Sequence, residues 1–162
     1  MSENYPLPDI LEHDPKKAFV FDLDGTLFTT TAVERKELMH PDCWVEFRDP
    51  EKLLIESTPL PLLSLARQVK EEGHTVFVLT ARGNAIAGTI RMLLQRYGVD
   101  VTFVYCVGDK GIDIPVYKAE ILAGIGRRFD KTYFYDNEVE NFQYVNEYHG
   151  IHIYDENGKR FK

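Results

Sequence analysis

The sequence predicts an α/β protein with a parallel sheet covered by helices on both faces, in three layers. Two observations carry this. Short apolar runs of strand length recur along the chain, and stretches with apolar residues at helical spacing lie between them. That alternation specifies a parallel sheet joined by right-handed crossovers. At 162 residues the chain fits one domain with a full hydrophobic core, residues 1–162, and no repeat or linker divides it.

Taken in order, residues 1–16 carry three prolines and no periodicity, which predicts a loose leading arm. Ala18 to Asp22 is the first strand. Thr29 to about Thr58 has the weakest signal: Thr29-Thr30-Thr31, a helical Val33–Met39, Pro41, Trp44 and Asp49-Pro50. It reads as a small, partly irregular flap or insertion, with Trp44 as local core; such a long stretch without clear elements is often functional. Pro59 to Glu72 is a helix with Leu62, Leu63, Ala66 and Val69 on one face and Gly73 as its stop. Thr75–Leu79 is the second strand. Asn84 to Tyr97 is a helix ended by Gly98, and Val101–Tyr105 is the third strand. A polar loop, Gly108 to Asp113, leads past Pro115 into a helix at about Val116 to Ile125. Thr132–Tyr135 is the fourth strand. A helix at about Glu140 to Tyr148 and a fifth strand, Ile151–Tyr154, complete the chain before a polar tail.

A net charge of −7 argues against a broad nucleic-acid-binding surface, which would be basic, but leaves room for a small cationic pocket. No apolar run approaches the ~20 residues of a membrane helix. Met1 to Pro6 lacks the basic and apolar segments of a secretory signal, so the expected location is cytoplasmic, with no membrane. Cys43 and Cys106 lie far apart without metal-ligand spacing and are expected as free thiols. His13, His40, His74, His149 and His152 form no ligand pattern.

The chemistry concentrates where the first strand ends, in Phe19-Val20-Phe21-Asp22-Leu23-Asp24-Gly25-Thr26-Leu27-Phe28. Asp22 and Asp24 are two apart and can share a face, and Gly25 permits a sharp turn. A calcium loop of the EF-hand type is excluded, because its first and twelfth positions would be Val20 and Thr31. A plain turn with both acids bonding nearby N–H groups remains open, whereas a helix N-cap explains only one of them.

Three other strand ends bear on the choice. The second strand runs into Thr80-Ala81-Arg82, Lys118 opens the helix after Pro115, and the fourth strand ends in Asp136-Asn137-Glu138. In a parallel sheet these ends emerge on one edge. Three carboxylates gathered there would repel one another without a cation, and a hard divalent ion such as Mg²⁺ suits oxygen ligands. Thr80 and Lys118 would then face a dianion beside the metal, a phosphoryl group being the obvious one. Singly, Thr80 and Asp136 could be helix caps and Lys118 a solvated lysine.

These motifs, in this order, resemble those of the haloacid dehalogenase (HAD) superfamily of phosphatases over about residues 18–154. The resemblance implies a Rossmann-like αβα HAD fold with a five-stranded parallel sheet in the order third-second-first-fourth-fifth and a minimal cap. It implies Asp22 as nucleophile, Asp24 as general acid and base, and Thr80 and Lys118 as catalytic holders of the phosphoryl oxygens. Mg²⁺ would be bound by Asp22, the Asp24 carbonyl and Asp136. An acid at position 24 favours phosphate ester hydrolysis over dehalogenation or P-type ATPase chemistry within the family. Asp136 departs from the usual pattern, being followed by Asn137 with Glu140 four residues on, so the metal role of Asn137 or Glu140 stays open. Lys110 competes for the Lys118 role, but Lys118 begins an apolar-patterned helix and is preferred.

About thirty residues, Thr29 to Thr58, are available for a cap, which predicts a site open to a bulky substrate. Leu79-Thr80-Ala81-Arg82, Val116 to Leu122 and Asp136-Asn137 are most similar to the polynucleotide 3′-phosphatase and RNA-repair-like branch. Thr80, Ala81, Arg82 and Lys118 are then the expected substrate-binding residues. Arg82 either makes a bidentate phosphate contact or pairs with a surface acid. The expectation is a Mg²⁺-dependent phosphomonoesterase, working through an aspartyl-phosphate on polynucleotide 3′-phosphate ends, with no obligatory protein partner. The alternatives are a phosphatase of a small metabolite or nucleotide lidded by residues 29–58, and a non-catalytic module that keeps the fold.

Overall fold

The structure, a computed structural model, describes residues 17–37, 47–145 and 150–161. The expectations for the leading arm, Cys43, Trp44, His13, His40, His149 and the last turns of the helix placed at 140–148 lie outside these residues.

The centre of the molecule is β1 (Lys17–Phe21), whose Ala18, Phe19, Val20 and Phe21 are all fully buried. Such burial suits a strand that is apolar on both faces. It pairs in parallel with β4 (Thr75–Thr80) on one side and β6 (Lys131–Tyr135) on the other. β5 (Phe103–Cys106) and β7 (Ile151–Tyr154) complete the sheet, in the order β5-β4-β1-β6-β7. This is the expected parallel order. The chain builds outward from β1 in one direction, then returns to build in the other, so the crevice beyond the carboxyl end of β1 is the topological switch point.

Side-chain alternation makes the layers. Phe19 and Phe21 join Val76 and Val78 in one core, under α3 (Leu62–Glu71) and α4 (Ala87–Arg96). Ala18 and Val20 point the other way, into a second core with Phe77, Leu79 and Phe134 against Leu122 and Ile125 of α5 (Ile114–Gly126). Successive strand residues face opposite sides, so one apolar run feeds both cores. Stacked rings on the first face, Phe21 on Tyr135 at 4.9 Å and Tyr135 on Tyr154 at 4.8 Å between centroids, tie β1, β6 and β7 together.

The insertion is a defined unit at its base. β2 (Phe28–Thr29) and β3 (Thr58–Pro59) form an antiparallel ribbon that closes it. Between them lie α1 (Thr31–Glu37) and α2 (Pro50–Glu56). Asp49 caps α2 by accepting from Glu51 N–H and Lys52 N–H at 2.9 and 3.3 Å. Ala32, Val33 and Phe47 make a small core of their own, while Leu53 reaches into the main one.

Several boundaries differ from the sequence reading. Pro59 belongs to the ribbon, and α3 begins at Leu62. A 3₁₀ turn at Asn84–Ile86 precedes α4. β5 starts at Phe103, and α5 starts at Ile114 with Pro115 inside its first turn, where a missing N–H costs nothing. The helix expected from Glu140 is, in its described part, a 3₁₀ turn at Val139–Phe142. Among the described residues no helix is long and apolar enough to cross a membrane.

Phe134 fills the second core with no exposure. Phe134→Ala should therefore lower the free energy of unfolding by about 3–5 kcal/mol, as read from urea titration.

Candidate active site

The site grows from the turn after β1. Asp22 N–H still bonds to the Tyr135 carbonyl at 2.9 Å, so its backbone is fixed by the sheet. The chain then coils tightly. The Leu23 carbonyl accepts from Leu27 N–H and Phe28 N–H at 2.9 and 3.1 Å, and Gly25 N–H donates to the Phe28 carbonyl at 2.8 Å. Gly25 has φ +80°, and a Cβ there would collide with the Asn137 side chain. Both the left-handed backbone and the close approach require glycine.

Lys118, from the second turn of α5, is 1% exposed. Its ammonium donates to Asp22 Oδ1 at 2.9 Å and to Asp136 Oδ2 at 2.8 Å. Burial opposes its charge, but Asp136 and Asp22 outweigh burial and hold its pKa above the ordinary lysine value. Asp22 is pushed up to about 8, first by burial and then by the neighbouring Asp136, against the pull of Lys118. One ammonium thus serves two buried carboxylates and does not fully neutralise either.

Asp136 has its oxygens engaged elsewhere. Oδ1 accepts from Glu138 N–H at 2.9 Å, and Oδ2 accepts from Asn141 Nδ2 at 2.8 Å as well as from Lys118. The side chain that closes on Asp22 from the end of β6 is Asn137. Its amide end lies 3.0 Å from both the Asp24 main-chain oxygen and Asp22 Oδ2. With its nitrogen inward, the amide donates to both. With its oxygen inward, three oxygens crowd together, as they do around a hard cation. Thr26 Oγ1, 3.1 Å from Asp22 Oδ2 and 3.3 Å from Asn137 Oδ1, has one hydrogen to give to this group.

That donor set fits Mg²⁺: one carboxylate, one carbonyl and one amide oxygen, beside a carboxylate in need of positive charge. Among the described residues no three His, Cys, Asp or Glu side chains form a metal cluster. Two of the three oxygens here come from the main chain and an amide.

The Asp24 carboxylate is paired with Arg82, whose Nη2 and Nε donate to Oδ1 and Oδ2 at 2.7 and 2.9 Å. The acid partner of Arg82 is therefore Asp24 itself, a site residue with an 18% exposed side chain. Thr80, 1% exposed at the end of β4, accepts from Arg82 N–H at 3.1 Å, which shapes the turn. Ala81 is exposed beside it. Lys110 lies out over the Tyr117 ring, 5.8 Å from its centroid, and Glu140 is exposed.

The structure thus gathers Asp22, Asp24, Lys118 and Asp136 in one linked set, with Thr80 and Arg82 on the adjoining turn. The sequence reading missed the Thr26, Asn141 and Lys36 contacts. Thr26 lies within the acidic run and Asn141 in the turn after Asp136. Lys36 of α1 donates to Glu138 at 2.7 Å across the site, and no periodicity marks that pairing.

No family model matches the sequence, and no curated protein matches it. Among solved structures the chain resembles a chain of the Pnkp1/Rnl/Hen1 complex, with a TM-score of 0.59 and 20% identity over 88% of this chain and 46% of that one. It therefore spans less than half of that chain's length. It also resembles a dehalogenase, with a TM-score of 0.54 and 14% identity over 85% of this chain and 83% of that one. The fold is the Rossmann-like α/β fold of the HAD proteins.

The displaced Asp22 carboxyl has a consequence for stability. In the unfolded chain it ionises near 3.8, and in the folded protein at about 8. The folded state therefore binds the extra proton across that interval, and stability should fall as pH rises from about 4 to about 8 in metal-free buffer. Urea titrations at several pH values should show this fall, and Asp22→Asn should flatten it.

Proposed function

We propose that the protein is a Mg²⁺-dependent phosphomonoester hydrolase with Asp22 as its nucleophile. The observation that carries this reading is the buried Lys118 ammonium, shared between Asp22 and Asp136. It orients the Asp22 carboxylate and leaves a deficit of positive charge beside it. A site of this kind suits a divalent cation and an anionic substrate together.

In the proposed reaction an Asp22 oxygen attacks phosphorus and the bond to the leaving oxygen breaks, giving an aspartyl-phosphate. Asp24 donates a proton to the departing oxygen. It then takes one from the water that attacks the same phosphorus and returns Asp22 as a carboxylate. Thr80 and Lys118 hold the phosphoryl oxygens. Mg²⁺, when bound, would offset the charge between two anions that must meet. Its proposed holders are Asp22, the Asp24 carbonyl and Asn137, with Asp136 acting through Lys118 and Asn141. This assigns to Asn137 the position that the motif resemblance gives to Asp136.

A halide leaves without a proton, so an acid at Asp24 supports an oxygen leaving group over dehalogenation. A non-catalytic module has no need of an under-neutralised buried carboxylate. Within the hydrolase reading, the substrate class we favour is the 3′-phosphate end of a nucleic-acid strand. The Thr80-Ala81-Arg82 and Asp136-Asn137 resemblance and the small insertion support it.

Phosphate release from an aryl phosphate should require Mg²⁺, stop with a chelator, and fall by about a thousandfold or more in Asp22→Asn. Asn137→Ala should raise the Mg²⁺ concentration for half-activation by about 10–100-fold, whereas Glu140→Ala should not change it. A 3′-phosphorylated oligonucleotide should be hydrolysed faster than mononucleotides at equal concentration; the reverse order would point to a metabolite substrate.

A further inference from the structure

Arg82 has a role that none of the steps above uses. It is 4% exposed, and its guanidinium is gripped from two sides. Nε and Nη2 hold both Asp24 oxygens, while Nη1 donates to the Phe47 carbonyl at 2.6 Å. The Phe47 ring lies against the guanidinium, 4.8 Å from its central carbon. The backbone is fixed too. Arg82 N–H bonds to Thr80 Oγ1, and the Arg82 carbonyl accepts from Gly108 N–H at 3.2 Å. Gly108 is pressed so close that a Cβ there would run into the Ala81 carbonyl. The end of β4 and the loop after β5 fix the Arg82 main chain, and the insertion and Asp24 fix its side chain.

A two-point fork fixes the plane of a carboxylate as well as its distance. We infer that Arg82 is a positioning residue for Asp24, and that Phe47 makes the insertion a support of the catalytic acid. The inference rests on the hydrolase reading and extends it. The insertion influences the chemistry through the Phe47–Arg82–Asp24 chain. For proton delivery one Asp24 oxygen must leave the fork and take up a proton, from solvent or from the attacking water of the previous turnover. It then passes that proton to the departing oxygen, which keeps the electron pair of the broken P–O bond. The bond from Nη1 to the Phe47 carbonyl keeps the guanidinium seated while that oxygen is free.

The test compares two monoesters. Nitrophenyl phosphate has a leaving group that departs with little protonation, whereas an alkyl phosphate needs the acid. Arg82→Gln should lower kcat/KM, which reports the first phosphoryl transfer and not the hydrolysis step common to both esters, about tenfold or more further for the alkyl ester than for the nitrophenyl ester. Arg82→Lys, which keeps the charge but loses the fork, should recover part of that difference. Phe47→Ala should give the same selective loss, but smaller, and serves if Arg82→Gln does not fold. Equal losses of kcat/KM on both esters would assign Arg82 to phosphate binding and overturn the inference. Unchanged kinetics in Arg82→Gln would overturn it as well. Its failure is distinct from failure of the hydrolase reading, which would show as wild-type protein that turns over neither ester.

Discussion

Everything at the site depends on a lysine ammonium buried between two carboxylates. A charge taken out of water is costly unless it is paired and hydrogen-bonded. Lys118 meets that condition only because Asp22 and Asp136 are side by side. The sheet sets this spacing. Phe21 of β1 is in register with Tyr135 of β6, so the next residue on each strand is an aspartate at the same level. Asp22 N–H bonds to the Tyr135 carbonyl, and Asp136 N–H to the Tyr154 carbonyl at 3.1 Å. A slip of one residue between β1 and β6 would turn one carboxylate away and leave the buried ammonium with a single partner. The register of the core and the electrostatics of the site are thus the same constraint.

The remaining parts are arranged around that pair by topology. β1 lies at the switch point, so the loops after β4, β5 and β6 and the start of α5 all approach its carboxyl end. Among the described residues, the insertion reaches the same place from outside at two points. Lys36 of α1 holds Glu138 beyond β6, and Phe47 holds Arg82 beyond β4. A small unit closed by a two-residue ribbon is in this way tied to both sides of the cleft. The excess of carboxylate at the centre makes a cation and an anionic substrate mutually favourable there.

Much of the fold was legible in the sequence because burial writes a pattern. The run from Ala18 to Phe21 reads as a two-sided strand and is one, and Gly73 and Gly98 stand just past helices as stop signals. What carried no pattern was misplaced. Pro59 suggests a helix start, yet it pairs with Phe28 in a ribbon too short to show alternation. The sequence places Pro115 just before a helix starting at about Val116, and it sits inside that helix's first turn. At the site, residue types and order announced which side chains would meet, since strand ends in a parallel sheet share an edge. Their directions were not legible. Nothing in Asp136-Asn137 says which side chain will face Lys118 and which will close on the Asp24 carbonyl. The partner of Arg82 was likewise open between a phosphate and an acid, because a fork of N–H donors suits either.

The central claim is that the Asp22 carboxylate held by Lys118 is where the phosphoryl group lands. Rapid acid quenching during turnover of a labelled phosphomonoester, followed by peptide mapping, tests it most directly. The account predicts an acid-stable, hydroxylamine-labile phosphoryl group on Asp22 in the peptide containing Asp22 and Asp24. Turnover with the label on another residue, or with no covalent label at any quench time, would contradict it.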